Sequence, residues 1–311
     1  MATVLLPIPD MDFDPTEVAV SWQVLTQSGH SIVFATANGS PGSADDIMIT
    51  GVGLDPWGWI PGLRRADLFG RFLRADSSAR ADYARMTTSE EFLHPRRWSD
   101  LNIGAYDALL LPGGHRARGM RRYLESEVLQ ALVIDAFNAD KPVAAVCHGV
   151  LLAARSVDPA TGKSVLYGRK TTSLTWHLES MASGLGRFIR FWDPNYYRTY
   201  PDQKGQPHGY MSVQSEVTRS LATMSDFIDV GTADPDARIK NDGRHRDTAD
   251  NSRPAHVVED GRYVSARWPG DVHTFAKRFG TLLDEQYSDA TKAESVPTQA
   301  ERTSPSPTDL R

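Results

Sequence analysis

The stretch Lys141–Arg155, KPVAAVCHGVLLAAR, joins an apolar run to a helix-prone run through the only cysteine of the chain. Pro142–Val146 has the length and apolar character of a buried strand, and the run after Gly149 favours a helix. A strand, a tight turn and a helix in this order are typical of a parallel sheet covered by helices. We therefore expect Cys147 to lie where a central strand meets the helix that follows it.

The N-terminal part of the chain repeats this alternation. Thr3–Ile8 is a short apolar run that predicts a buried strand, and His30–Thr36 predicts a second one. Between them Asp14 is a suitable helix N-cap, and Gly29 lies where that helix should end. The order strand, helix, strand indicates a parallel sheet.

Further elements follow the same scheme. Tyr106–His115, YDALLLPGGH, predicts a strand that ends at a double glycine, and Ser126 is a suitable N-cap for the next helix. Asp260-Gly261 is a turn between two alternating runs, which is a strong hairpin signal. Residues 271–285 predict a final amphipathic helix.

Together these elements predict an α/β protein, a three-layer sandwich with a mostly parallel central sheet between layers of helices. We expect one domain over residues 1–287, with inserted segments at about 40–105 and 185–250. Residues 288–311 contain few apolar side chains and recurring prolines, which predicts a disordered tail.

Charge and cysteine content exclude several classes of protein. Lysine and arginine total 34 against 39 for aspartate and glutamate, a net charge of −5, which argues against a nucleic-acid partner. No apolar run reaches the ~18 residues of a membrane span, and the N-terminus lacks the pattern of a signal peptide. We therefore expect no membrane partner and a cytoplasmic location, where a single thiol stays reduced.

Ala145–Gly149, AVCHG, has small residues on both sides of the cysteine, as in a nucleophile elbow. A helix that begins directly after Cys147 directs free N–H groups and its dipole at the sulfur. The sequence therefore predicts a reactive thiol with a pKa below the ~8.5 of a free cysteine. The alternative is that Cys147 is a small buried apolar residue.

A candidate oxyanion site lies at the end of another predicted strand. Gly113-Gly114-His115 follows the apolar run of that strand, and parallel sheets place ligands at the carboxyl ends of their strands. A glycine-rich turn leaves N–H groups free to bind a developing negative charge. The alternative is an ordinary turn.

These motifs resemble the ThiJ/PfpI superfamily. The resemblance depends on AVCHG, on LLLPGGH before it and on TEVAVSWQVLTQSGHSIVFATANG near the N-terminus, and it extends from about Val4 to Leu283. It implies a flavodoxin-like, class I glutamine amidotransferase-like fold. Within the superfamily the spacing is most similar to the cofactor-independent glyoxalase III and deglycase branch.

The resemblance also implies a catalytic group. In this branch the thiol, here Cys147, acts with the adjacent histidine, His148, and with an acidic residue about 30 positions further on, which matches Glu179. Such an acid orients the histidine through a hydrogen bond. His177 and Asp158 remain alternatives for this third member.

A glutamate early in the first helix is a further family feature, and Glu17 matches it. Beside a thiol, its carboxyl group should have a raised pKa and could transfer protons. The alternative is that Asp14–Glu17 forms a capping box, in which Glu17 binds the N–H groups of its own helix.

The resemblance implies a cysteine-dependent enzyme, without cofactor or metal, that acts on small reactive carbonyl compounds. The activity would be a glyoxalase III-like conversion of methylglyoxal to lactate, or that of a deglycase. The alternatives are a class I glutamine amidotransferase-like hydrolase or hydratase with a tailoring role in a biosynthetic pathway, and a non-enzymatic redox sensor or chaperone. The expected partner is a small-molecule substrate, and the family is compatible with a homodimer.

Overall fold

A seven-stranded sheet forms the centre of the computed structural model, which describes residues 1–294. The strands in chain order are β1 Thr3–Pro7, β2 Met11–Phe13, β3 Ser31–Thr36, β4 Ser43–Ala44, β5 Arg96–Arg97, β6 Ala108–Leu111, β7 Val143–Val146, β8 Val157–Asp158, β9 Lys163–Ser164, β10 Val257–Asp260 and β11 Tyr263–Ala266. The sheet order is β10-β11-β7-β6-β1-β3-β5, and only the β10–β11 pair is antiparallel. The short strands β2 and β4 pair with each other, as do β8 and β9.

Helices cover both faces of this sheet. In chain order they are α1 Pro15–Gln27, α2 Asp46–Thr50, α3 Gly70–Leu73, α4 Ser77–Met86, α5 Glu90–Leu93, α6 Ala117–Leu124, α7 Glu127–Asn138, α8 His148–Arg155, α9 Trp176–Ile189, α10 Val213–Ser220, α11 Ala237–Asn241 and α12 Val272–Glu294. Short 3-10 turns lie at Trp98–Asp100, Ile103–Ala105, Met224–Asp226 and Pro269–Asp271.

The side chains of β1 alternate between two apolar layers, as the period of a strand requires. Val4 and Leu6 pack in the layer that contains residues of α1 and α12, whereas Leu5 packs in the layer that contains residues of α7 and α8. The predicted three-layer α/β sandwich with a mostly parallel sheet is therefore confirmed.

The local patterns placed the elements around the cysteine correctly. Asp14 caps α1 through its carboxylate, Pro15 is the first residue of that helix, and Gly29 follows it with φ +86°. The hairpin at Asp260-Gly261 joins β10 to β11, and β11 then lies parallel to β7, directly beside the strand that leads to Cys147.

The segment predicted as an insertion at 40–105 does not lie wholly outside the sheet. Its strand β5 extends the sheet by pairing with β3, in the register Ala35 to Arg96. Two residues are too short a run to show a strand period, so the sequence could not indicate this edge strand.

The C-terminal helix is longer than the sequence predicts. α12 continues to Glu294, past residue 288 where the predicted tail begins, and the remainder of that tail, 295–311, lies outside the described residues. Within residues 1–294 no helix combines the length and the apolar character that a membrane crossing requires.

Candidate active site

Cys147 occupies a strained turn between β7 and α8. Its backbone has φ +56° and ψ −119°, a region that side-chain-bearing residues rarely adopt, and α8 begins at the next residue. Its N–H donates to the carbonyl oxygen of Ala266 on the neighbouring strand at 3.1 Å, which continues the sheet pairing into the turn. The predicted nucleophile-elbow geometry is present.

The small residues around Cys147 are required by close backbone contacts. A Cβ atom on Gly149 would lie 2.0 Å from the carbonyl oxygen of Leu111 on β6. A Cβ atom on Gly113 would lie 2.6 Å from the backbone nitrogen of His148. These glycines let the turn after β7 approach the end of β6, and this approach brings the double glycine to the cysteine.

We expect Gly149→Ala to destabilise the protein by about 1–3 kcal/mol or more, because the new methyl group meets a backbone oxygen that cannot rotate away. Urea unfolding measures the effect. The matched control is Gly184→Ala in α9, where no atom lies within 4 Å of the added Cβ and the helix should be unchanged or gain up to about 1 kcal/mol. Equal stability of the two variants would contradict the packing described for Gly149.

Glu17 points its carboxyl group at this turn. Its Oε2 accepts a hydrogen bond of 2.7 Å from the N–H of Gly113, and the side chain is fully buried. A Cβ atom on Gly113 would touch both this oxygen, at 3.1 Å, and the Cβ of Cys147, at 3.2 Å, so the carboxyl group and the cysteine meet at that glycine. The capping-box alternative is wrong, because Asp14 alone caps the helix, at 2.8 and 3.1 Å from the N–H groups of Thr16 and Glu17.

Burial dominates the acidities of this pair. It raises the pKa of the Glu17 carboxyl group well above its usual value, and the nearby Asp14 adds to the increase. Burial, followed by the charges of Glu17 and Asp14, also raises the pKa of the Cys147 thiol, although the backbone N–H of His148 acts in the opposite direction. The prediction of a lowered thiol pKa is therefore wrong. Cys147 is only 5% exposed, and two carboxyl groups outweigh the start of one helix.

The rate at which iodoacetamide alkylates Cys147 should still be rising at about pH 9, above the pKa of ~8.5 of a free cysteine. The thiolate reacts, and a raised pKa moves its formation to higher pH. Glu17→Gln removes a negative charge and should shift the inflection to lower pH. Since the chain has one cysteine, the mass of the alkylated protein reports this site alone. A plateau at about pH 7 in the wild type would contradict the expected acidity.

His148 lies between the thiol and a hydroxyl group. Its Nδ1 is 3.4 Å from Cys147 Sγ, and its Nε2 is 3.0 Å from Thr199 Oγ1. Burial, reinforced by the charges of His115, Arg155 and Arg198, lowers the pKa of its imidazole to about 3. His148 is therefore a neutral ring at physiological pH.

The predicted contact between Glu179 and His148 is not formed. Glu179 Oε1 instead makes an ion pair of 3.0 Å with Arg198 Nε, and Oε2 accepts from the N–H of Val213 at 3.0 Å. The predicted contact is wrong because distance along the chain does not show which way a buried carboxylate turns. Glu179 is 3% exposed, and its burial raises its pKa to about 7 despite Arg198.

The two alternatives for the third member also lie elsewhere. His177 Nε2 is 3.1 Å from the carbonyl oxygen of Asn241, and Asp158 accepts from the N–H of Ala160 in the β8–β9 hairpin. The side chain that contacts His148 Nε2 is Thr199, which the sequence analysis missed. No motif marks a threonine in this irregular segment.

The double-glycine turn offers fewer free N–H groups for an oxyanion than the sequence predicts. The N–H of Gly113 is occupied by Glu17, so it is not free to bind an oxyanion. Within residues 1–294 neither Gly114 nor His115 donates its backbone N–H to an acceptor, so these two N–H groups are the remaining candidate donors of this turn. The ring of His115 packs against those of Tyr196 and Tyr197, with centroids 4.8 Å away in each case.

The arrangement is suited to covalent and proton-transfer chemistry. It holds a nucleophilic thiol, a neutral imidazole and a carboxyl group of raised pKa in a site that excludes most water. Residues 1–294 contain no group of three or more His, Cys, Asp or Glu placed to hold a metal ion.

Comparisons with known proteins identify the family and show similar folds. A family model described as ThiJ/PfpI family-like matches residues 8–204, more than half of the chain. An uncharacterized protein of Schizosaccharomyces pombe is 29% identical over 130 residues, which is 41% of this chain and only 42% of that protein. Glyoxalase III of Candida albicans has a similar fold, with TM-score 0.55, 17% identity and coverage of 90% of this chain and 97% of that one. The Rapid Encystment Protein of Francisella tularensis is similar to the same degree, with TM-score 0.55, 16% identity and coverage of 91% and 99%.

Proposed function

The chain belongs to the ThiJ/PfpI-like family, and from that premise we propose that it is a cofactor-free, cysteine-dependent enzyme that converts small reactive carbonyl compounds, with methylglyoxal converted to lactate. The observation that carries the proposal is the meeting of Cys147, His148 and Glu17 in one buried site. This set can perform an internal oxidation and reduction of a 2-oxoaldehyde without an external oxidant.

The first step is addition of the thiol to the aldehyde carbon. Cys147 Sγ forms the C–S bond while its proton passes to His148 Nδ1, 3.4 Å away. His148 then gives this proton to the aldehyde oxygen, which becomes the hydroxyl group of a hemithioacetal, and the imidazole ring is neutral again. We assign the stabilisation of the transient negative charge on that oxygen to a free N–H group of the double-glycine turn, at Gly114 or His115.

The second step moves a proton between neighbouring carbons. Glu17, as the carboxylate, removes the proton from the former aldehyde carbon, which gives an enediolate with its negative charge on the ketone oxygen. Neutral His148 then moves the hydroxyl proton of the first carbon to that oxygen. Protonated Glu17 delivers its proton to the second carbon, and the first carbon becomes a thioester. A carboxyl group of raised pKa is a stronger base when ionised, which favours abstraction of a C–H proton.

The third step is hydrolysis. Water adds to the thioester, the C–S bond breaks, and the sulfur regains its proton. One methylglyoxal and one water give one lactate and one proton. The first carbon is oxidised and the second is reduced, so no cofactor enters the balance.

The experiment is methylglyoxal turnover without glutathione, carried out in D₂O. We expect lactate to form, with deuterium at its second carbon wherever Glu17 exchanges its proton with solvent. Deuterium at the second carbon would exclude hydride transfer between the two carbons, because a hydride does not exchange with solvent. No turnover above a Cys147→Ala blank would overturn the proposal.

The state of Cys147 bears on the cellular compartment and on the alternative of a redox sensor. A single free thiol is compatible with a reducing compartment such as the cytoplasm. A buried sulfur with a raised pKa argues against a redox sensor, because sensor cysteines are accessible and have a lowered pKa.

A further inference from the structure

Thr199 makes two hydrogen bonds that together determine where a proton sits on His148. Its Oγ1 lies 2.7 Å from the carbonyl oxygen of His115 and 3.0 Å from Nε2 of His148. A carbonyl oxygen only accepts, so Thr199 donates its single hydroxyl proton to the backbone carbonyl oxygen of His115. The hydroxyl oxygen can then only accept from His148, which requires a proton on Nε2 and leaves the lone pair on Nδ1 facing Cys147.

The residue before Thr199 is held by buried charge. Arg198 makes an ion pair of 3.0 Å with Glu179, and both side chains are 2% exposed. It also contacts Asp202 at 3.2 Å and its guanidinium group lies over the ring of Trp176. Glu179 therefore does not contact His148 as the sequence predicts. It pairs with Arg198, and the next residue in the chain, Thr199, contacts the histidine.

The other side of Thr199 is equally fixed. Arg121 Nε donates to the carbonyl oxygen of Thr199 itself at 3.0 Å. The hydroxyl group of Tyr200 accepts from Arg155 at 2.8 Å and donates to Glu125 at 2.6 Å. Thr199 is 1% exposed, so water does not compete for its hydroxyl group.

We propose that Thr199 is the positioning residue of the catalytic group, which holds His148 as the Nε2–H tautomer so that Nδ1 can accept the proton of the Cys147 thiol. This inference deepens the proposed function and rests on it for its kinetic consequence. The positioning role assigned by resemblance to a carboxylate is filled by a hydroxyl group in this chain.

A hydroxyl group differs from a carboxylate in one chemical respect. A carboxylate would stabilise an imidazolium ring, whereas the oxygen of Thr199 carries no charge. The resting pair is therefore a thiol beside a neutral imidazole, and His148 holds a proton only during the reaction. Thr199→Asp supplies the missing charge and should favour the thiolate–imidazolium pair, which moves alkylation of Cys147 to lower pH.

The direct test is the tautomer of His148 in the full chain labelled with ¹⁵N-histidine. Two-bond ¹H–¹⁵N correlations distinguish Nε2–H, Nδ1–H and doubly protonated rings, and a His148→Gln variant identifies the signal among nine histidines. We expect Nε2–H in the wild type and in Thr199→Ser, which keeps the hydroxyl group. In Thr199→Val that preference should be lost, and kcat/KM for methylglyoxal should fall about 10- to 100-fold.

The wild-type spectrum alone can overturn the proposal, even if Thr199→Val does not fold. A wild-type His148 protonated on Nδ1, or on both nitrogens at neutral pH, contradicts it, as does an unchanged tautomer in a folded Thr199→Val. If the wild type has the Nε2–H ring and does not convert methylglyoxal, the proposed function fails while the positioning by Thr199 stands.

Discussion

Replacing Cys147 with alanine should reduce methylglyoxal turnover to the rate in buffer, a loss on the order of 10⁴-fold or more. The variant has no atom that can form the C–S bond, and the other members of the group have nothing to activate. Glu17→Gln should lose about 10²- to 10⁴-fold, because addition can still occur while the proton transfer between carbons cannot. The double variant should be no slower than Cys147→Ala, since both residues serve one sequence of steps.

Steady-state lactate formation measures all three variants. Glu127→Gln is the matched control for the glutamate, because Glu127 also lies in the first turn of a helix but is exposed, and its variant should keep full activity. A Glu17→Gln variant as active as the wild type would show that another base transfers the carbon-bound proton. Residual activity of Cys147→Ala above buffer would show that the thiol is not the nucleophile.

The sequence predicted the fold well because the deciding signals were local. Asp14 and Gly29 mark the ends of a helix through the chemistry of caps, and Asp260-Gly261 marks a hairpin through a turn that favours φ > 0. Each pattern acts within a few residues. The sequence did not predict which strand lies beside β7; the structure shows that β11 pairs with it in parallel.

The site was only partly predictable, because its decisive contacts join distant parts of the chain. Glu17 and Gly113 are 96 residues apart, and His148 and Thr199 are 51 residues apart. The elbow motif and the family resemblance identified Cys147, but neither shows which polar group a folded segment brings to the histidine. A threonine has no sequence signature in such a role.

The thiol pKa was mispredicted for a related reason. A helix start next to Cys147 is visible in the sequence, and it does act to lower the pKa. Burial and the carboxyl groups of Glu17 and Asp14 act in the opposite direction, and they arise only when the chain is folded. Desolvation of a charge usually exceeds what one helix terminus contributes, so the folded environment decides the sign.

Breaking the ion pair between Arg267 and Asp271 should lower the free energy of unfolding more than removing any other single charge. Both side chains are fully buried, and Asp271 accepts from the backbone N–H and from two guanidinium nitrogens of Arg267 at 2.9–3.0 Å. We expect Asp271→Ala to lower the free energy of unfolding by about 3–5 kcal/mol, because it leaves a buried guanidinium without its counter-charge. Urea unfolding followed by both circular dichroism and tryptophan fluorescence measures the loss.

The size of this effect depends on burial rather than on the pair itself. Glu259 and Arg278 form a matched exposed pair of 3.6 Å, with side chains 47% and 63% exposed, and Glu259→Ala should cost no more than about 1 kcal/mol.

Replacing both buried partners by apolar residues, as in Arg267→Met with Asp271→Leu, should be less damaging than Asp271→Ala alone, since no unpaired charge remains. Arg267 directly follows Ala266, whose carbonyl oxygen binds the N–H of Cys147, so Asp271→Ala should also loosen the strained turn and lower turnover. A loss of less than about 1 kcal/mol in Asp271→Ala would mean that water reaches the guanidinium group, which contradicts the full burial of this pair.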